Sequence, residues 1–186
     1  MSSLNVSSDG PITVSKDIPA TTVPNGDTIL LSAGGVVQIV QQLGGSVTVR
    51  TEMGTLLRID GEHVGALGLT VPERKVAIAS GRPFSMDLVM EQLDTVYDPE
   101  IPISIVALGL IYRAEEVIQA DGTRLIEIDL SMTAPGCGMG DILKADAEKV
   151  TRAVHGVDDV RVELVFQPPW GMDRISDEAK LELGLF

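Results

Sequence analysis

The chain has 186 residues, with 27 acidic against 14 basic side chains and a formal charge of −13. That charge repels phosphate backbones and anionic membranes, and an aromatic content of 3% leaves few faces for base stacking; both argue against a nucleic-acid role. One cysteine rules out an internal disulfide framework and a self-contained zinc finger.

Hydrophobic content of 44% is ample for a core built from aliphatic side chains. Met1–Pro11 is polar and lacks a basic region followed by an apolar run, unlike a signal peptide. The longest strongly apolar run, Ile101–Tyr112, is too short to span a bilayer. The expectation is a soluble, cytoplasmic protein with no membrane partner.

Residues 1–20 carry Ser, Asp, Gly and Pro without periodicity and read as a flexible leader. Residues 21–70 read as a small all-β module without helices. Thr28–Leu31 is a short strand, and Val36–Val40 and Ser46–Arg50 flank a hairpin turn at Leu43-Gly44-Gly45. Leu56–Ile59 is a further strand, leading to the turn Asp60-Gly61. Short strands with glycine turns suggest a barrel or sandwich. Residues 71–83 are bounded by prolines and read as a linker.

The acidic character follows the linker. Residues 80–186 hold 20 acidic and 9 basic side chains, whereas residues 1–79 hold 7 and 5. A solvated surface explains this surplus better than a dedicated docking face.

Residues 84–186 read as an α/β sandwich, with helices packed on one sheet. Ser85 serves as N-cap of a helix whose face is Met86, Val89, Met90, Leu93, Val96 and Tyr97. Asp98-Pro99 stops it. Ser104–Arg113 is a predicted strand, and the turn Ala120–Thr123 leads into a second, Leu125–Met132, with alternating apolar residues. Apolar positions at Ile142, Leu143, Ala147, Val150 and Val154 predict a helix over Asp141–Val154. Asp159–Phe166 is another strand. Ser176 caps a last helix, Asp177–Leu183, closed by Gly184.

Cys137 sits where the Leu125–Met132 strand hands over to that second helix, among Gly136, Gly138 and Gly140. A helix N-terminus presents free N–H groups and partial positive charge, which favour a thiolate. The glycines let a ligand approach closely. The competing reading is a small buried hydrophobe in an ordinary turn.

Four stretches in order carry a family resemblance: Asp98-Pro99-Glu100-Ile101-Pro102, Leu108-Gly109-Leu110-Ile111-Tyr112, Thr133-Ala134-Pro135-Gly136-Cys137 and Pro168-Pro169-Trp170. Residues 84–186 resemble the small iron–sulfur cluster assembly domain family, whose members include PaaD and the cytosolic iron–sulfur assembly targeting component. Leu43-Gly44-Gly45-Ser46 and Arg58-Ile59-Asp60-Gly61 look like the extra module of its SufT-like long form. The fold class implied is α+β: a small N-terminal all-β module, then an α/β sandwich of the iron–sulfur assembly type.

The resemblance implies an accessory factor in iron–sulfur cluster assembly by the SUF system. Its partners would be SUF-type scaffold or carrier proteins and apo iron–sulfur clients. The candidate metal site is Cys137 with Asp98 and Glu100, holding iron or a cluster transiently, since thiolate and carboxylate can both ligate iron. Against these roles, Asp98 also serves to end a helix, and Glu100 also fits a plain surface charge. One thiolate cannot hold a cluster that needs about four ligands. A homodimer would pair two Cys137 thiolates; otherwise an outside protein supplies the rest. Position 107 is Ala where many members carry an acidic residue, so no metal role falls there.

No catalytic residues are assigned and the chain is not expected to be an enzyme. No Gly-Lys-Ser/Thr follows a glycine-rich loop, and two distant histidines make no metal pair. A Cys137–His155 dyad would span one helix, about 25 Å at 1.5 Å per residue. His155 suits a helix C-terminal role, and Trp170 suits the core edge better than a partner-facing anchor. Two alternatives stay open: an enzyme with Cys137 as nucleophile, and a metal-free interaction adaptor.

Overall fold

The computed structural model describes residues 10–70, 82–134, 136 and 138–185. The fold is mixed α/β with a large antiparallel sheet. The chain divides into two compact units, Met1–Arg74 with Pro99–Pro102, and Lys75–Asp98 with Ile103–Phe186.

The first unit holds a six-stranded antiparallel sheet. Its strands are β1 (Ile12–Thr13), β2 (Ile18–Val23), β3 (Thr28–Leu31), β4 (Val36–Leu43), β5 (Ser46–Thr51) and β6 (Leu56–Asp60). Their order across the sheet is β1-β4-β5-β6-β2-β3. β4 and β5 meet across Gly44-Gly45, with Leu43 opposite Ser46. Both glycines have positive φ, 62° and 81°, as a two-residue hairpin turn requires. Val47, Val49, Leu57 and Ile59 alternate inward, the period of two that buries one face of a strand.

Two readings of this unit need correction. β1 and β2 begin within residues 1–20, the stretch read as a leader. Val14, Ile18 and Ala20 are buried in the core, and the Ser, Asp and Pro between them hid the alternation. The unit also has a helical piece. Gly61–Leu67 forms a 3₁₀ helix that buries Val64, Ala66 and Leu67 and ends on Gly68. The linker reading at 71–83 falls mainly on residues outside those described.

The second unit contains α1 (Met86–Leu93), β7 (Ile111–Ile118), β8 (Arg124–Leu130), α2 (Gly140–Arg152), β9 (Asp159–Leu164) and α3 (Asp177–Glu182). Its sheet has the order β7-β8-β9. β7 and β8 are antiparallel, whereas β8 and β9 are parallel, with α2 as the crossover. α2 packs on β9 and against α1. Ile126, Ile128 and Leu130 of β8 and Leu143, Ala147 and Val150 of α2 are buried, so the strand and helix periods share one core.

Two element boundaries differ from expectation. α1 stops at Leu93, short of Tyr97, because Thr95 and Val96 tighten the chain through bonds to Gln92 and Leu93. Tyr97 then bridges Ser104. The strand expected at Ser104–Arg113 begins only at Ile111. Before it, Ser104–Leu110 is a helical turn: the Leu108 N–H donates to the Ser104 carbonyl at 2.9 Å, and the Ala107 N–H to Ser104 Oγ at 3.1 Å. Ile105, Leu108 and Leu110 are all buried there, and an apolar run of that length does not distinguish strand from turn.

Both predicted serine caps form. Ser85 Oγ accepts from the Leu88 N–H at 3.3 Å, and Ser176 Oγ from the Ala179 N–H at 3.2 Å. Ser85→Ala should therefore cost about 1 kcal/mol in urea unfolding, and Ser85→Gly only a few tenths. Equal losses in the two variants would show that the hydroxyl is not what stabilises α1.

Candidate functional site

The loop that carries the lone cysteine is held at both feet. At the first foot, β8 ends and Ser131 and Met132 are buried. The Ser131 N–H donates to the Leu110 carbonyl at 2.7 Å. Its hydroxyl is buried and has no hydrogen-bond partner among the described residues. At the second foot, Met139 and Gly140 are buried and α2 begins. A β-carbon on Gly140 would lie 3.1 Å from Leu164 Cδ1, so the helix start rests against the end of β9. Between the feet, Ala134, Gly136 and Gly138 are exposed.

The predicted ligand Cys137 and its neighbour Pro135 lie outside the described residues. α2 starts three positions after residue 137. Its N-cap, Met139, makes no side-chain cap, and Asp141 stands in the first turn. The first-turn N–H groups of α2, at the end that follows the loop, thus receive no cap from the Met139 side chain.

Asp98 is buried, 5% exposed, and its N–H donates to the Ile103 carbonyl at 3.1 Å. Asp94, nearby in the same unit, accepts a short hydrogen bond from Ser104 Oγ. Burial, then Asp94 and Glu182, raise the Tyr97 phenol above its ordinary range. Glu100 is exposed and belongs to the first unit's segment Pro99–Pro102, where the Pro99 carbonyl accepts from Thr48 Oγ1 at 3.2 Å. Among the described residues, no three His, Cys, Asp or Glu side chains group so as to hold a metal ion.

Sequence spacing gave no sign that two of the motifs form one structure. Trp170 Nε1 donates to the Leu108 carbonyl at 2.7 Å, and Tyr112 OH to the Pro168 carbonyl at 2.9 Å. The Arg174 guanidinium stacks on the Tyr112 ring, 3.9 Å from its centre. The Ser176 N–H donates to the Ala107 carbonyl at 2.9 Å. Residues 168–176 thus form a strap across residues 107–112. Trp170 is half-buried at this seam, in line with the core-edge reading.

The opposite face of the sheet is charged. Arg113 bonds Asp129 at 2.8 Å and Glu127 at 3.3 Å, and Arg161 bonds Glu127 at 2.7 Å. The Asp129 hydrogen bond, then that of Glu115, push the Arg113 guanidinium above its usual range. These partly exposed pairs add little stability each. His155 is exposed, and His63 is half-buried beside Glu62 at 3.2 Å.

Comparison with known proteins places this arrangement. Residues 87–164 match the iron-sulfur cluster assembly protein family. A Porphyromonas gingivalis protein named Fe-S protein maturation auxiliary factor is 41% identical over 52% of this chain and 88% of its own length. The Fe-S protein maturation auxiliary factor YitW of Bacillus subtilis is 35% identical over 52% of this chain and 91% of its own. The Fe-S protein maturation auxiliary factor SufT of Staphylococcus aureus is 34% identical over 48% of this chain and 98% of its own. The chain belongs to the iron–sulfur cluster assembly protein family, within its SufT-like group. Its six-stranded sheet, Ile12 to Asp60, lies outside residues 87–164.

Gly109 tests the seam. Its φ is 69°, and a β-carbon there would collide with the Arg174 carbonyl oxygen. Gly109→Ala should cost about 2–5 kcal/mol, combining left-handed strain with overpacking. Gly122, φ 86° with open space around it, is the control, and Gly122→Ala should cost only about 1–2 kcal/mol. Equal losses in urea unfolding would deny that the strap packs on Gly109.

Proposed function

We propose that this protein is an accessory factor in the maturation of iron–sulfur proteins. It binds apo clients and SUF-type scaffold or carrier proteins, and it takes iron or a cluster as transient cargo rather than converting a substrate. One observation carries the reading: the family match over residues 87–164 includes the whole loop between β8 and α2.

In this reading Cys137 is the sulfur ligand, and Asp98 and Glu100 are the oxygen ligands that the cargo would recruit. A cluster needs about four ligands, so a second copy or a bound carrier completes the site. The N-terminal unit, with its six-stranded sheet, and the α/β sandwich, residues 84–186, act as separate domains joined by the linker 71–83, and the protein works in the cytoplasm. The second reading is a metal-free adaptor, in which Cys137 binds no metal.

The test is Cys137→Ser in a deletion strain. The substitution keeps nearly the same volume but replaces a soft sulfur ligand by oxygen, which holds iron more weakly at such a site. Client iron–sulfur enzyme activity should fall to the level of the deletion, with melting changed by no more than a few degrees. Full rescue by the serine variant would hand the function to the adaptor reading. Limited proteolysis tests the domain proposal: first cuts should fall within 71–83, and first cuts inside Leu125–Val154 would count against it.

A further inference from the structure

The strap formed by residues 168–176 has no part in the function so far derived, yet its bonds lead to the cargo loop. Trp170 holds the Leu108 carbonyl. Two residues on, the Leu110 carbonyl accepts the Ser131 N–H and fixes the first foot of the loop. At its other end the strap continues from β9, where the Val165 N–H donates to the Leu130 carbonyl at 2.9 Å and Leu164 abuts Gly140. The chain from Leu164 to Ser176 therefore runs from one loop foot to the segment that anchors the other. Gly109 leaves no slack between, because the Arg174 backbone fills the place of its β-carbon.

From this connectivity we infer that Trp170 is a positioning residue for Ser131, the described foot from which the cargo loop departs. Its indole N–H clamps the strap on Leu108, and the clamped segment holds Ser131 through the Leu110 carbonyl. Ser131 suits such a role: its side chain is 1% exposed and its hydroxyl has no partner among the described residues, so its backbone bond is what fixes it. The inference rests on the reading of this loop as the cargo site.

Amide hydrogen exchange on Trp170→Phe, which keeps a ring and removes the N–H, tests the coupling. Loss of one hydrogen bond should speed exchange at Ser176 and Ser131 together by about two- to tenfold, while Ile128 and Leu143 stay unchanged. Client maturation in the deletion strain should drop at least threefold at a preserved melting temperature. Faster exchange at Ser176 with Ser131 unchanged would overturn the coupling. So would uniform acceleration throughout the unit, which would make Trp170 a general stabiliser. The expected exchange pattern with full client maturation would overturn the positioning role. Tyr112→Phe, which removes the bond to Pro168 near the surface, supplies the same measurements if Trp170→Phe does not fold. Failure of the cargo reading itself shows separately, as rescue by Cys137→Ser, and leaves the exchange result intact.

Discussion

The backbone of Arg174 occupies the space that a β-carbon on residue 109 would need, and this contact organises the second unit. Only glycine permits the left-handed turn and the close approach at once. The turn at Gly109 brings the apolar run Ile105–Leu110 to an end and starts β7 in the register that pairs Ile111 with Leu130. The approach lets residues 168–176 lie flat on the segment before β7. Sheet edge, strap and loop foot are therefore one assembly, and the motifs at 108–112 and 168–170 are its parts.

Much of this was legible where a period was strong. β8 and α2 lie within about two residues of their sequence readings because alternation and helical spacing are both clear there. The two serine caps were readable because a small hydroxyl before an apolar run has few other uses. β1 and β2 were lost because proline and serine interrupt their alternation, and packing across the sheet overrides such local signals. The turn at Ser104–Leu110 was misread because every second or third residue is buried there whichever shape the chain takes. The strap was invisible for a different reason. Its hydrogen bonds join residues about sixty apart through backbone carbonyls, which carry no sequence signature.

The candidate site was legible as residue types, not as an assembly. Asp98 is buried near Asp94 and Ser104, whereas Glu100, two residues on, is exposed and belongs to the other unit. The surface around the site is better explained. Much of the acidic surplus is solvated, and part of it is used on the sheet face, where Arg113 and Arg161 share Glu127 and Arg113 also holds Asp129. Two copies at −13 each repel over a Debye length, so any self-association has to draw on apolar contact or on salt.

The parallel pairing of β8 with β9 has a consequence for how the protein is made. β7 and β8 are joined by a short turn and can pair as soon as both exist. β9 must wait for α2 to be spun out and laid across the sheet, a connection of high sequence separation that closes late. The loop between β8 and α2 is part of that connection, and its feet rest on β9 and, through Leu110, on the segment the strap covers. During synthesis this loop therefore emerges from the ribosome before β9 and the strap, on which its two feet come to depend.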